Sequence, residues 1–307
     1  MSAEAIARLR AQFEAELTQN PDLYHPIDID RVRTEDWQVK RYLLEEEEHG
    51  NNNEEVAFEA LLKTLQWKKR FGLHERTDQY FPREFWELNV TEQWGADRAG
   101  HLIQWGRVRN TKIIPEISLL SKQFAAHCLE RMDRLCGEKG SVFIGHMKQA
   151  SFWTRDRDFE EFQMELMAHY PRQCRAMYIV DMPWIIAAIL RLMMAFMPAR
   201  MKRLLHVITA AQLPEVVHPE LIPASMGGRR TGYHFPPGLV SIESIYKEMG
   251  LSREQLETIY RTYNLEELEG HEYEKSGTED NNHNDQVEKE KEEKVEVRAK
   301  VGLTKVD

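Results

Sequence analysis

Apolar residues recur at helical spacing through the first third of the chain. Ile6, Leu9, Phe13 and Leu17 form one such stripe, which Asn20-Pro21 stops. Thr34 reads as the N-cap of a second helix, with Glu35 and Asp36 in a first turn whose dipole favours acids. Phe58, Leu61, Leu62 and Leu65 mark a third. Lys68, Lys69 and Arg70 fill its last turn and Gly72 supplies its stop. These helices predict a small bundle over residues 1–75.

From about residue 100 the rhythm changes. Residues 101–109 read as a strand, and Ile117, Leu120, Phe124, Cys128 and Leu135 as a helix. A short apolar run at 141–144 follows a glycine-bounded loop. Phe159, Phe162, Leu166 and Tyr170 then make a helix that Pro171 ends. Residues 175–180 and 205–208 supply two more strands. Strands alternating with helices predict right-handed crossovers, hence an α/β fold with a mainly parallel sheet.

One segment departs from both patterns. Residues 184–197 read WIIAAILRLMMAFM, with Arg191 the only charge. A surface helix carries a polar face, whereas here apolar residues go all the way round. The run is too short to span a bilayer, which takes about 20 apolar residues. Pro198 interrupts it, Arg200, Lys202 and Arg203 follow, and no acid occurs between Met182 and Pro214. This is an apolar blade with a basic collar. Two readings fit it: a central helix buried by protein on every side, or a lid with a hydrophobic ligand inside and a membrane outside. Each large apolar side chain left in water forfeits about 1.5–3 kcal/mol, so both faces cannot idle bare.

Charge and cysteines refine the picture. The net charge is −10, but residues 266–307 carry 14 acids against 7 bases, leaving the body at about −3. That acidic tail, poor in aromatics, reads as disordered and as a place for protein partners. Asp280, Asn282 and Asn284 alternate as in a calcium loop. However, Asp285 stands where the turn glycine belongs and Lys291 where the closing glutamate belongs, so no calcium site is expected. Three cysteines form no disulfide framework, which with the acid-interrupted first residues predicts a cytoplasmic protein.

The order of these pieces resembles the CRAL-TRIO family of lipid-binding proteins. His169-Tyr170-Pro171, Met177-Tyr178-Ile179-Val180 and Met182-Pro183-Trp184 are similar to the family's Tyr-Pro, strand and lid-helix pattern. Leu213-Pro214 and the run Leu221-Ile222-Pro223-Ala224-Ser225-Met226-Gly227-Gly228 resemble its closing segment. Val39-Lys40-Arg41-Tyr42-Leu43 and the segment from Leu65 to Gly72 resemble its helical module. The resemblance spans roughly residues 34–230. It implies a CRAL-TRIO fold: a mainly parallel sheet flanked by helices, an apolar lid helix, and a small N-terminal bundle. The implied organisation is a module at 1–75, a lipid-binding domain at 76–235, a helical extension at 236–265 and a tail at 266–307.

The resemblance also implies a function: binding of a lipid or other small hydrophobic molecule, with transfer between membranes or sensing at them. The implied pocket and lid residues are Leu102, Phe143, Ile144, Tyr178, Val180, Trp184, Ile185, Ile186, Ile189, Leu190, Met193, Met194, Phe196 and Met197. Arg172, Arg200, Lys202 and Arg203 are the candidates for headgroup or membrane contact. Phosphatidylinositol-exchanging members place a glutamate after Tyr-Pro and a lysine at the start of the strand after the lid. Here those positions hold Arg172 and Leu204, which argues against that headgroup. His146 stands where the family usually has aspartate.

Catalysis finds no support in the motifs. Gly140 to Gly145 continues as His146-Met147 rather than Lys-Ser/Thr, so it is no phosphate loop. Neither a dinucleotide fingerprint nor a Gly-x-Ser-x-Gly elbow occurs, and the histidines lack zinc-ligand spacing. The expected partners are a lipid-like ligand and a transient membrane surface. No enzyme activity, cofactor, metal or nucleic acid is expected. The alternative is an interaction module that keeps the fold and fills the pocket with its own side chains.

Overall fold

The computed structural model describes residues 3–88, 92–107, 114–148, 150, 156–195, 197, 199–232 and 234–263. The acidic tail and the calcium-like pattern lie outside these residues. The N-terminal region is four helices: α1 (Ala3–Gln19), α2 (Pro26–Thr34), α3 (Asp36–Glu48) and α4 (Glu54–Phe71). Ile6, Leu9 and Phe13 of α1 pack with Val39, Tyr42, Leu61 and Leu65 in one core. Asn53 caps α4 by accepting from the Glu55 and Val56 amides, and Gly72 ends it in the left-handed region. Thr34 is not an N-cap. It is the last residue of α2, where its hydroxyl donates back to the Asp30 carbonyl.

A short helix α5 (Arg83–Leu88) leads into a five-stranded sheet in the order β1-β2-β3-β4-β5. The strands are β1 (Glu92–Ala96), β2 (Leu102–Arg107), β3 (Ser141–His146), β4 (Cys174–Val180) and β5 (Leu205–Ile208). β1 runs antiparallel to β2, and the remaining pairs are parallel. Helix α6 (Ser118–Cys136) connects β2 to β3, and α7 (Arg157–Ala168) connects β3 to β4. Helices α8 (Trp184–Met194) and α9 (Ala199–Leu204) connect β4 to β5. Neighbouring parallel strands joined by right-handed crossovers place all these helices on one face of the sheet.

The other face is covered by the chain after β5. Ile103, Trp105, Val142, Ile144, Ala176 and Val180 form a buried cluster there with Leu213, Val217, Ile222 and Met226. Arg230 locks the segment in place through a buried pair with Glu92 of β1 at 2.6 and 2.9 Å. Helices α11 (Ile242–Ile245) and α12 (Arg253–Tyr263), which follow the short α10 (Leu213–Val216), pack Ile242, Leu256 and Ile259 against Ile114 and Ile117.

The bundle and the sheet domain meet through buried charge. Lys68 of α4 lies 2.8 Å from Glu130 and 3.6 Å from Asp28, and Arg31 lies 2.9 Å from Glu130. Arg41, fully enclosed, donates to Asp133 at 2.7 Å and to the Pro171 carbonyl. Burial alone would raise the Glu130 carboxyl, but Lys68 and Arg31 outweigh it and hold the group well below the usual carboxylate range. Asp28, His74 and Glu130 bring ligand-type atoms within 4.8 Å of one another. The Lys68 ammonium already occupies the position of a cation beside them, so this cluster is a charge-paired joint between the two regions.

Candidate functional site

The candidate site is the space between the sheet and the α8–α9 crossover. Strand alternation decides which side chains reach it. Gln93 of β1 donates to the Cys128 carbonyl of α6, so its face is the helical one. Gln93 pairs with Gln104, and Gln104 with Phe143, which puts Phe143 on that face together with Leu102. Register then adds Met177, Ile179, Leu205 and Val207 from β4 and β5. A Cβ placed on Gly145 would stand 2.7 Å from the Phe143 ring and 3.7 Å from Ile179. That glycine lets the Phe143 ring lie down across the strand.

These apolar side chains are not packed away. Leu102, Phe143, Met177, Ile179 and Leu205 are all partly exposed, and Val207 is 49% exposed. On the opposite face Ile144 and Val180 are both at 0%. The side chains expected to line a pocket thus divide between the two faces. Ile144, Tyr178 and Val180 belong to the face covered by residues 213–226, because neighbouring residues of a strand point to opposite sides. Register places Met177, Ile179, Leu205 and Val207 on the other face with Leu102 and Phe143.

Helix α8 is built differently from every other long helix described here. None of its described side chains is buried. Trp184, Ile185, Ala188, Arg191 and Leu192 make an exposed stripe, with Trp184 and Leu192 each 73% exposed. Ile186, Ala187, Ile189, Leu190 and Met194 are half-buried on the reverse side, and Met197 beyond the helix is half-buried too. The reading of this run as a central helix wrapped by protein is therefore overturned. Phe196 and the side chains of Met193 and Arg200 lie outside the described residues.

The two ends of this crossover are held by polar contacts. At its start Asp181 adopts φ +51°, donates its amide to the Ile208 carbonyl, and accepts from the Ala210 amide. His146 at the end of β3 lies 3.6 Å from the Asp181 carboxylate. At the far end Lys202 donates to the Ala195 carbonyl at 3.5 Å, capping the C-terminal end of α8. Arg172 and Arg203 converge on one carboxylate, Glu48 of α3, at 2.7 and 2.5 Å. Glu48 was not foreseen from the sequence, since it lies more than a hundred residues from both partners.

Among the described residues, no helix is long and apolar enough to cross a membrane. Comparison with known proteins agrees with the architecture. The crystal structure of Sfh5 is similar in fold, with a TM-score of 0.55 and 12% sequence identity over 81% of this chain and 98% of that one. Residues 90–228, which run from β1 to the end of the closing segment, match the CRAL/TRIO domain. The sheet, its helical face and the segment closing its back thus form a CRAL-TRIO fold, and residues 90–228 are similar to the CRAL/TRIO domain.

Proposed function

We propose that the protein binds a lipid or other small hydrophobic molecule between the helical face of the sheet and α8–α9, and delivers or senses it at membranes. The observation that carries this reading is the set of partly exposed apolar side chains on the inner face of β3, β4 and β5. Packed protein interiors leave few voids, and uncovered apolar area costs about 25 cal/mol per Å². A bound acyl chain or similar ligand would remove that cost. A sixteen-carbon chain resists leaving a bilayer by on the order of 12 kcal/mol, so a carrier must offer an equivalent apolar lining before the chain departs.

The outer stripe of α8 supports the membrane half of the proposal. Trp184, Ile185 and Leu192 would insert among acyl chains, while Lys202 and Arg203, with Arg200 beside them in sequence, would face anionic phosphates. Arg172 is the candidate on the sheet side. The Met182-Pro183-Trp184 and Trp67–Gly72 segments point to a finer kinship with the lipid domain of motile sperm domain-containing protein 2. The test is transfer of a fluorescent phospholipid from donor to acceptor vesicles. Wild-type protein should accelerate it, and Gly145→Val, which pushes the Phe143 ring into the cleft, should abolish it. Equal rates with and without protein, across several labelled lipid classes, would refute transfer.

A further inference from the structure

We infer that Glu48 is a latch: its carboxylate holds the trailing end of the α8–α9 crossover against the helical module, and anionic membrane phosphates displace it. The inference rests on the membrane reading above. Glu48 offers one oxygen to Arg172 at 2.7 Å and the other to Arg203 at 2.5 Å. It thereby joins three parts of the molecule: the end of α3, the turn before β4, and α9. One carboxylate shared by two guanidiniums leaves a net positive charge, and a doubly or singly charged phosphate suits that arrangement as well as a carboxylate does.

Three further observations point to a contact made to be broken. Glu45, Glu46, Glu47 and Glu48 crowd the last turn of α3, which has no basic residue, although a helix C-terminus disfavours negative charge. Arg172 stands at φ +62°, a left-handed conformation costly for a residue with a Cβ. The Arg203 side chain is 63% exposed, so a competing phosphate can reach it. The opposite end of the crossover is different. There the Asp181 amide donates to the Ile208 carbonyl and its carboxylate accepts from the Ala210 amide. On the trailing side Lys202 links α9 back to α8 and Leu205 enters the ladder with β4, so releasing Arg203 would loosen α9 and the α8 end joined to it between these two anchors.

Glu48→Gln tests this with the full-length protein, and Glu47→Gln makes the same charge change on the neighbouring residue. Amide hydrogen exchange without vesicles should be faster over residues 184–204 in Glu48→Gln and in Arg203→Gln, and unchanged in Glu47→Gln. Binding to vesicles of phosphatidylcholine with phosphatidylserine should rise about fivefold for Glu48→Gln, the worth of the exposed Arg203 of the two arginines it releases. It should not rise for Arg203→Gln, which loses the cation that would take the phosphate. Unchanged exchange in Glu48→Gln, or equal gains in Glu48→Gln and Glu47→Gln, would overturn the latch. If no form of the protein binds these vesicles, the membrane reading fails and phosphate displacement with it. The exchange data then still decide whether Glu48 holds the crossover.

Discussion

The two faces of the central sheet are made of the same residue types and live in different states. Behind the sheet, Val142, Ile144, Ala176 and Val180 meet Leu213, Val217, Ile222 and Met226, and little of any of them is exposed. In front, Phe143, Met177 and Ile179 alternate with them along the same strands and Leu205 and Val207 continue the face on β5, yet all are at least partly exposed, and the α8–α9 crossover buries none of its own described residues. One face is a finished core. The other has the chemistry of a core and is incompletely covered, which is the condition the proposed ligand binding requires.

Paired substitutions break this comparison most sharply. Ile144→Ala should cost about 2–5 kcal/mol in chemical denaturation, because it opens a cavity in a close-packed cluster. Ile179→Ala on the other face should cost less than about 1 kcal/mol in ligand-free protein, since water already reaches the site. Equal costs would mean that both faces are packed alike. Replacing Trp184 and Leu192 with serine should leave stability within about 0.5 kcal/mol, as both are exposed. Vesicle affinity should fall by about 1.5–3 kcal/mol per side chain that enters the bilayer.

Acid should act on the joint beneath both faces rather than on either one. His169 is buried, stacked on Trp67 with ring centroids 4.3 Å apart, and touches Thr64. Burial, helped by the nearby Lys63, Lys68 and Arg70, lowers it to about 4 from 6.5. The unfolded chain takes up this proton first. Stability is therefore complete above about pH 6.5 and declines as pH falls toward 4, with Glu130 adding a further loss below its usual range. Denaturation midpoints at pH 7, 5.5 and 4.5 measure the decline. His169→Gln should flatten its upper part, and the smallest effect expected is on Ile144→Ala, whose cost should be the same at each pH.

Much of this architecture is legible in the sequence, and the failures have physical causes. β2 to β5 and the helices between them announce themselves as apolar runs and 3.6-residue stripes. β1 does not, because Glu-Gln-Trp-Gly-Ala at an antiparallel edge has no such run. α2 was hidden by its charges, of which Asp28 and Arg31 are buried in pairs. The face of Ile144 and Val180 is not legible, because parallel strands apolar on both sides carry no polar alternation from which to read it. Residues 184–197 are the clearest signal of all, since an all-apolar run bounded by proline and cations has few uses. Glu48 carried none: an ion pair across 124 or 155 residues leaves no local pattern.

Native mass spectrometry of the full-length protein purified from cells tests the ligand most directly. The wild type should carry an apolar small molecule that survives gentle ionisation, and Gly145→Val should be recovered folded without it. Wild-type protein at its bare sequence mass, with an inner face that takes up no lipid on incubation with vesicles, would contradict the view that the exposed face of the sheet is a binding surface.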